Sequence, residues 1–257
     1  MELWISTGIG LLVGLVGTGI GGLLICWVKK PGERLPGLLM GLSGGIMVSM
    51  VLFDMIPEAA EQCGIWSMIL WMALGGLAVF LAHLAIPHSH DVHQGDVAKL
   101  AQAKNDPKRM VQMGLLMMGG IALHNLPEGL VIGSGFAGGA KTAEFGMGFS
   151  ILLLLHNIPE GLALAVPLKL GNVRSTMIFL LALLTGLPIG LGALAGYLIG
   201  DISEAFIGCC IAFGAGAMLY ITVKELLPEA FSRKHRAGTL MMLGAGILIG
   251  WLMVQIV

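Results

Sequence analysis

Charge is scarce in this chain. Asp, Glu, Lys and Arg make up only 11% of its 257 residues, and they nearly cancel to a formal net charge of −1. That balance excludes the basic surface that nucleic acid requires. Aromatic residues are also few, at 6%. The four cysteines, Cys26, Cys63, Cys209 and Cys210, form no C-x-x-C pair, so neither a disulfide framework nor a thiolate metal site is indicated. No basic stretch precedes the first apolar run in MELWISTGIG, and that run, 3–27, is longer than a signal-peptide core. It reads as a retained membrane span. What fills the chain instead is apolar: 56% hydrophobic residues, 40 glycines, 17 methionines and a mean hydropathy of +0.91. A soluble domain of this length does not have that composition, whereas small residues suit close helix packing in lipid.

Punctuation by proline, glycine and charge divides the chain into eight apolar segments, about 3–27, 37–57, 65–86, 111–136, 145–168, 175–200, 205–229 and 238–256. Their lengths predict helices, since membrane strands would be about half as long. The expectation is a single all-α transmembrane domain over 1–257, integral to the bilayer. The basic residues test the count. Loops 28–36, 87–110, 169–174 and 230–237 hold 12 of the 14 Lys and Arg, while the alternate loops and both termini hold only Lys141. Such alternation requires an even number of spans and puts both termini outside the cytoplasm. The long cytoplasmic loop 87–110 carries His88, His90 and His93. Imidazoles this dense suit transient metal capture, and equally an ordinary solvated linker.

Pro-Glu occurs four times, always in or at the end of a span: DMIPE (54–58), HNLPE (124–128), HNIPE (156–160) and ELLPE (225–229). Spans 2 and 7 match further, as GGIMVSMVLFDMIPEA and GAMLYITVKELLPEA. By the charge rule spans 2 and 4 run outward, and spans 7 and 5 run inward. Similar sequence in opposed directions predicts an inverted repeat, with spans 1–3 and 6–8 flanking a central pair in a 3+2+3 order, as in secondary transporters. Pro127 and Pro159 deprive the Leu123 and Leu155 carbonyls of their helical donors. Broken helices facing a polar cavity are therefore expected there.

An α-helix turns about 100° per residue. Glu128 then projects between His124 and Asn125 on one face, and Glu160 between His156 and Asn157 on another. If the faces meet, His124, Glu128, His156 and Glu160 offer an N2O2 shell suited to Zn²⁺, and also to Fe²⁺, Mn²⁺, Co²⁺ or Cd²⁺. Asn125 and Asn157 add amide oxygens beside it. A charged carboxylate at a span centre costs about 2.5–3.5 kcal/mol on insertion scales, which a divalent cation would offset. Asp54 and Glu58 near the outer face, and Glu225 and Glu229 near the cytoplasm, are candidate pathway residues.

The paired HNLPEG and HNIPEG motifs, the histidine-bearing loop, the eight spans and the outside termini resemble the ZIP (Zrt-, Irt-like protein) family of divalent metal transporters, most nearly its short prokaryotic members. The resemblance covers essentially the whole chain. It implies transport of Zn²⁺ or related ions into the cytoplasm across a prokaryotic cell (inner) membrane, often by a homodimer, with the metal as cargo and no cofactor. It also implies two adjacent metal positions: His124, Glu128, His156 and Glu160 around the first, and Asn125, Asn157 and the bridging glutamates around the second. Many such proteins complete the second with an acid in span 6, but 175–200 contains no Asp, Glu or His. One tight metal rather than two is the expectation. The rival reading is an intramembrane metal-dependent hydrolase. Against it, H-E-x-x-H is absent and no Ser or Cys neighbours a plausible base in the sequence.

Overall fold

A computed structural model describes residues 2–28, 34–85, 107–138, 140–200, 202, 204–231 and 236–256. His88, His90 and His93 lie outside the described residues, as do the side chains of Glu225 and Glu229. Every regular element among the described residues is helical. Span 1 is Glu2–Leu24, span 3 Ile65–Ala85, span 4 Pro107–Ala137, span 5 Ala140–Leu170, span 6 Ser175–Gly200 and span 8 Arg236–Ile256. Span 2 is composite: α-helix Leu35–Met50, a π turn Val51–Met55, then α-helix Ile56–Cys63. Span 7 has the same build, with Glu204–Ile221, a π turn Thr222–Leu226 and Leu227–Phe231. Seven of these units are long and apolar enough to cross a membrane, and span 3 is apolar over Ile65–Leu81.

The prolines act differently from the sequence-based expectation. Spans 4 and 5 run unbroken through Pro127 and Pro159. One missing N–H forfeits a single bond, which a helix packed on its neighbours absorbs. The irregular hydrogen bonding is in spans 2 and 7 instead, just ahead of Pro57 and Pro228. There the Ile56 N–H reaches back to the Val51 carbonyl, and the Leu227 N–H to that of Thr222. An extra residue in the turn gives the proline ring room that a tight α turn would deny it. Span 2 also does not stop at Pro57 but continues to Cys63, where Gly64 takes a positive φ of 79°.

Polarity is inverted relative to a soluble protein. Leucines, isoleucines and tryptophans cover the outside, with Trp66 86% exposed, while His124, Asn125, Glu128, His156, Asn157 and Glu160 are all buried. Span 6 packs on spans 1 and 4, and span 1 on span 5; span 2 packs on span 8, and span 3 on span 7. Spans 4 and 5 pack on each other, and touch spans 7 and 2 respectively. The crossing of spans 1 and 6 is set by Gly14 and Gly186, whose backbones touch. A Cβ on either would collide with the other's backbone. Span 1 in turn packs on span 5 and span 6 on span 4, and the polar residues of spans 4 and 5 are buried.

Candidate metal centre

Each half of the centre comes from one helix. His124 and Glu128 are four residues apart on span 4, and His156 and Glu160 four apart on span 5, so each pair stacks on one helical face. The two faces meet. His124 Nε2 lies 3.1 Å from Glu160 Oε2 and 3.8 Å from Glu128 Oε1. His156 Nε2 lies 3.2 Å from Glu160 Oε1 and 3.7 Å from Glu128 Oε1. A tetrahedral ion with bonds of about 2.0–2.1 Å separates its ligand atoms by about 3.3 Å. The four observed separations bracket that value. Ligand atoms of His124, Glu128 and His156 also fall mutually within 4.8 Å.

The satisfaction of polar atoms points the same way. Neither oxygen of Glu128 has a hydrogen bond, nor does His156 Nε2, although all are buried. Buried polar atoms normally find partners, because leaving one without costs about 1–3 kcal/mol and more if it is charged. Three such atoms, two from Glu128 and one from His156, are available to a metal ion. Apolar clusters flank the centre on two sides. Met113 and Met117, two to three turns before His124, pack with Met40, Leu226 and Ala230 on one side. Val131 and Ile132, just beyond Glu128, join Met47, Met50 and Met55 on the other. In this state the centre is closed to solvent.

Asn125 and Asn157 sit beside the histidines. The Asn125 side-chain amide donates to the Thr185 carbonyl of span 6 at 2.6 Å, and its own oxygen is unpartnered. Both polar atoms of Asn157 are buried and unpartnered. Its Cβ fits only because span 1 carries Gly17 opposite, where a side chain would collide. Asp54 is half-buried, with one carboxylate oxygen buried and unpartnered. Glu58 is also half-buried and accepts a hydrogen bond from the Gln62 amide. Lys224 is exposed.

Sequence reasoning missed Ser43. It lies on span 2 within GLSGG, where a serine looks like one more small packing residue, and it is fully buried. Its Oγ is 3.1 Å from His156 Nδ1 and 3.2 Å from Glu160 Oε1. A serine therefore does adjoin a base, contrary to one argument raised against a hydrolase. Its hydroxyl faces the Glu160 carboxylate as well as the imidazole, so it does not form a serine–histidine pair alone. No sequence spacing connects span 2 to spans 4 and 5, so only packing could reveal it.

Comparisons with known proteins place the chain in a family. The profile of a family described as ZIP Zinc transporter matches residues 82–257. A zinc transporter ZupT of Stenotrophomonas maltophilia (strain R551-3) is 31% identical over 259 residues, covering 96% of this chain and 94% of that protein. A zinc transporter ZupT of Chlorobium luteolum is 31% identical over 251 residues, 93% of each chain. One of Corynebacterium aurimucosum is 32% identical over 231 residues, 86% of this chain and 84% of that protein.

Proposed function

The chain belongs to the ZIP zinc transporter family, and from that membership we propose how it works: it carries divalent transition-metal ions, Zn²⁺ foremost, into the cytoplasm through the centre between spans 4 and 5. It is an integral membrane transporter and not an enzyme, and the metal is its cargo. The observation that carries the reading is the closed cluster in which His124, Glu128 and His156 offer ligand atoms mutually within 4.8 Å, with Glu160 oxygens 3.1 and 3.2 Å from the two imidazoles.

The finer points are proposals. The 3+2+3 inverted repeat is supported by the π turns, which fall at matching places ahead of Pro57 and Pro228. It is also supported by the packing, in which span 2 meets spans 8 and 5 as span 7 meets spans 3 and 4. Both termini lie outside a prokaryotic cell membrane, as the basic loops indicate, and two copies form a homodimer. Asp54 and Glu58 receive the ion on the outer side, and Glu225 and Glu229 release it inward. Asn125 and Asn157 bound a second position that lacks an acid from span 6. One tight ion per chain is therefore expected, and two tight ions in a metal count of saturated protein would reject that. The main test is radiometal uptake into proteoliposomes across several metals and two pH values. His124→Ala and His156→Ala should each abolish it. Uptake at the wild-type rate by either would sink the proposal.

A further inference from the structure

Ser43 is the side chain from a third helix that touches two ligands at once, and its hydrogen count fixes what it does. The hydroxyl has one proton and two lone pairs. An ionised Glu160 accepts and cannot donate, so the proton goes to Oε1 at 3.2 Å. The oxygen is then left to accept from His156 Nδ1 at 3.1 Å. That holds the imidazole proton on Nδ1 and leaves the lone pair on Nε2. Nε2 is the atom that faces both carboxylates and makes no hydrogen bond. A histidine ligand with its second nitrogen anchored is held in both tautomer and ring orientation.

The same bond acts on Glu160. With Oε1 engaged by Ser43, and Oε2 directed to His124 Nε2 at 3.1 Å, the carboxylate is biased toward binding an ion through one oxygen. One-oxygen binding suits the four-coordinate shell of Zn²⁺. Freed from Ser43, Glu160 can turn both oxygens to the ion, as suits metals that take six ligands, such as Mn²⁺. We infer that Ser43 is a positioning residue that sets the preference of the centre for a tetrahedral over an octahedral ion, by fixing the His156 tautomer and holding Glu160 monodentate. This rests on the transport reading above and deepens it.

The test is uptake of Zn²⁺ and Mn²⁺ into proteoliposomes by wild type, Ser43→Ala, Ser43→Thr and His156→Ala. Loss of a hydrogen bond behind a ligand typically weakens metal affinity 10–100-fold. Ser43→Ala should therefore raise KM for Zn²⁺ about tenfold or more, with the maximal rate within about twofold and KM for Mn²⁺ moved less than about threefold. Ser43→Thr, which keeps the hydroxyl, should recover most of the Zn²⁺ KM. Nitrogen NMR of ¹⁵N-histidine-labelled, metal-free protein should show an Nδ1-protonated His156 in wild type and its loss in Ser43→Ala. An unchanged Zn²⁺ KM in Ser43→Ala, equal rises for both metals, or an unchanged His156 tautomer would each overturn the inference. A variant too unstable for uptake is still decided by the tautomer in detergent. If His156→Ala abolishes uptake while Ser43→Ala is silent, only the role of Ser43 falls. If His156→Ala transports normally, the transport site itself is wrong.

Discussion

Replacing Glu128 by glutamine should stabilise the metal-free protein and destroy its response to zinc. Glu128 is fully buried, and neither of its oxygens has a hydrogen bond. Its Oε1 lies 3.7 Å from His156 Nε2, which is equally unpartnered. A glutamine keeps the shape, removes a buried carboxylate whose oxygens accept no hydrogen bond, and brings an N–H₂ that can donate to that nitrogen. Relief of one buried unsatisfied group is worth about 1–3 kcal/mol. At 2–4 °C per kcal/mol for a chain of this size, the metal-free Tm should rise by roughly 2–12 °C. Zinc reverses the order. At a concentration 100 times Kd, wild type gains about 2.7 kcal/mol from binding. If losing one of four ligands weakens affinity about a thousandfold, the variant gains only about 0.06 kcal/mol from the same zinc. Thermal unfolding of detergent-purified protein, with and without zinc, reads both numbers. A metal-free variant less stable than wild type, or one still shifted fully by zinc, would refute the assignment of Glu128 as a metal ligand.

Other consequences can be checked alongside. Asn157→Asp puts a carboxylate where two buried polar atoms lack partners, so metal counting should rise from one tight ion per chain toward two. Gly14→Ala drives a methyl into the Gly186 backbone and should cost about 1–3 kcal/mol by overpacking, read as a fall in Tm without a change in metal stoichiometry. Charge reversal at Asp54, Glu58, Glu225 or Glu229 should slow uptake while equilibrium zinc binding at the histidines persists. Uptake at the wild-type rate would remove that residue from the route.

Much of the centre was legible because its cost is. A His and a Glu one turn apart inside an apolar run have no cheap explanation, and two such runs are cheaper together than apart. Ser43 was illegible for the opposite reason, since a serine among glycines is an ordinary packing residue until the fold sets it against His156. The prolines were half legible. The sequence shows where an N–H is missing, but whether the helix breaks, absorbs the loss or widens depends on its neighbours. Spans 4 and 5 absorb it at Pro127 and Pro159, and spans 2 and 7 widen ahead of Pro57 and Pro228. The helix ends also overran the apolar segments. Span 4 begins at Pro107 and takes in Lys108 and Arg109, because helical hydrogen bonding does not stop at the edge of the hydrocarbon, whereas a hydropathy reading does.

The widened turn at Val51–Met55 divides span 2 into two pieces with separate angular settings. Ser43 belongs to the piece before it, and Glu58 to the piece after. Each residue adds about 100° of rotation and 1.5 Å of rise, so excising one residue from that turn would swing Glu58 most of a third of a revolution relative to Ser43. The surplus residue thus works like a keyway on a jointed shaft. It lets the end that carries Glu58 aim independently of the end that carries Ser43, which is committed to His156 and Glu160.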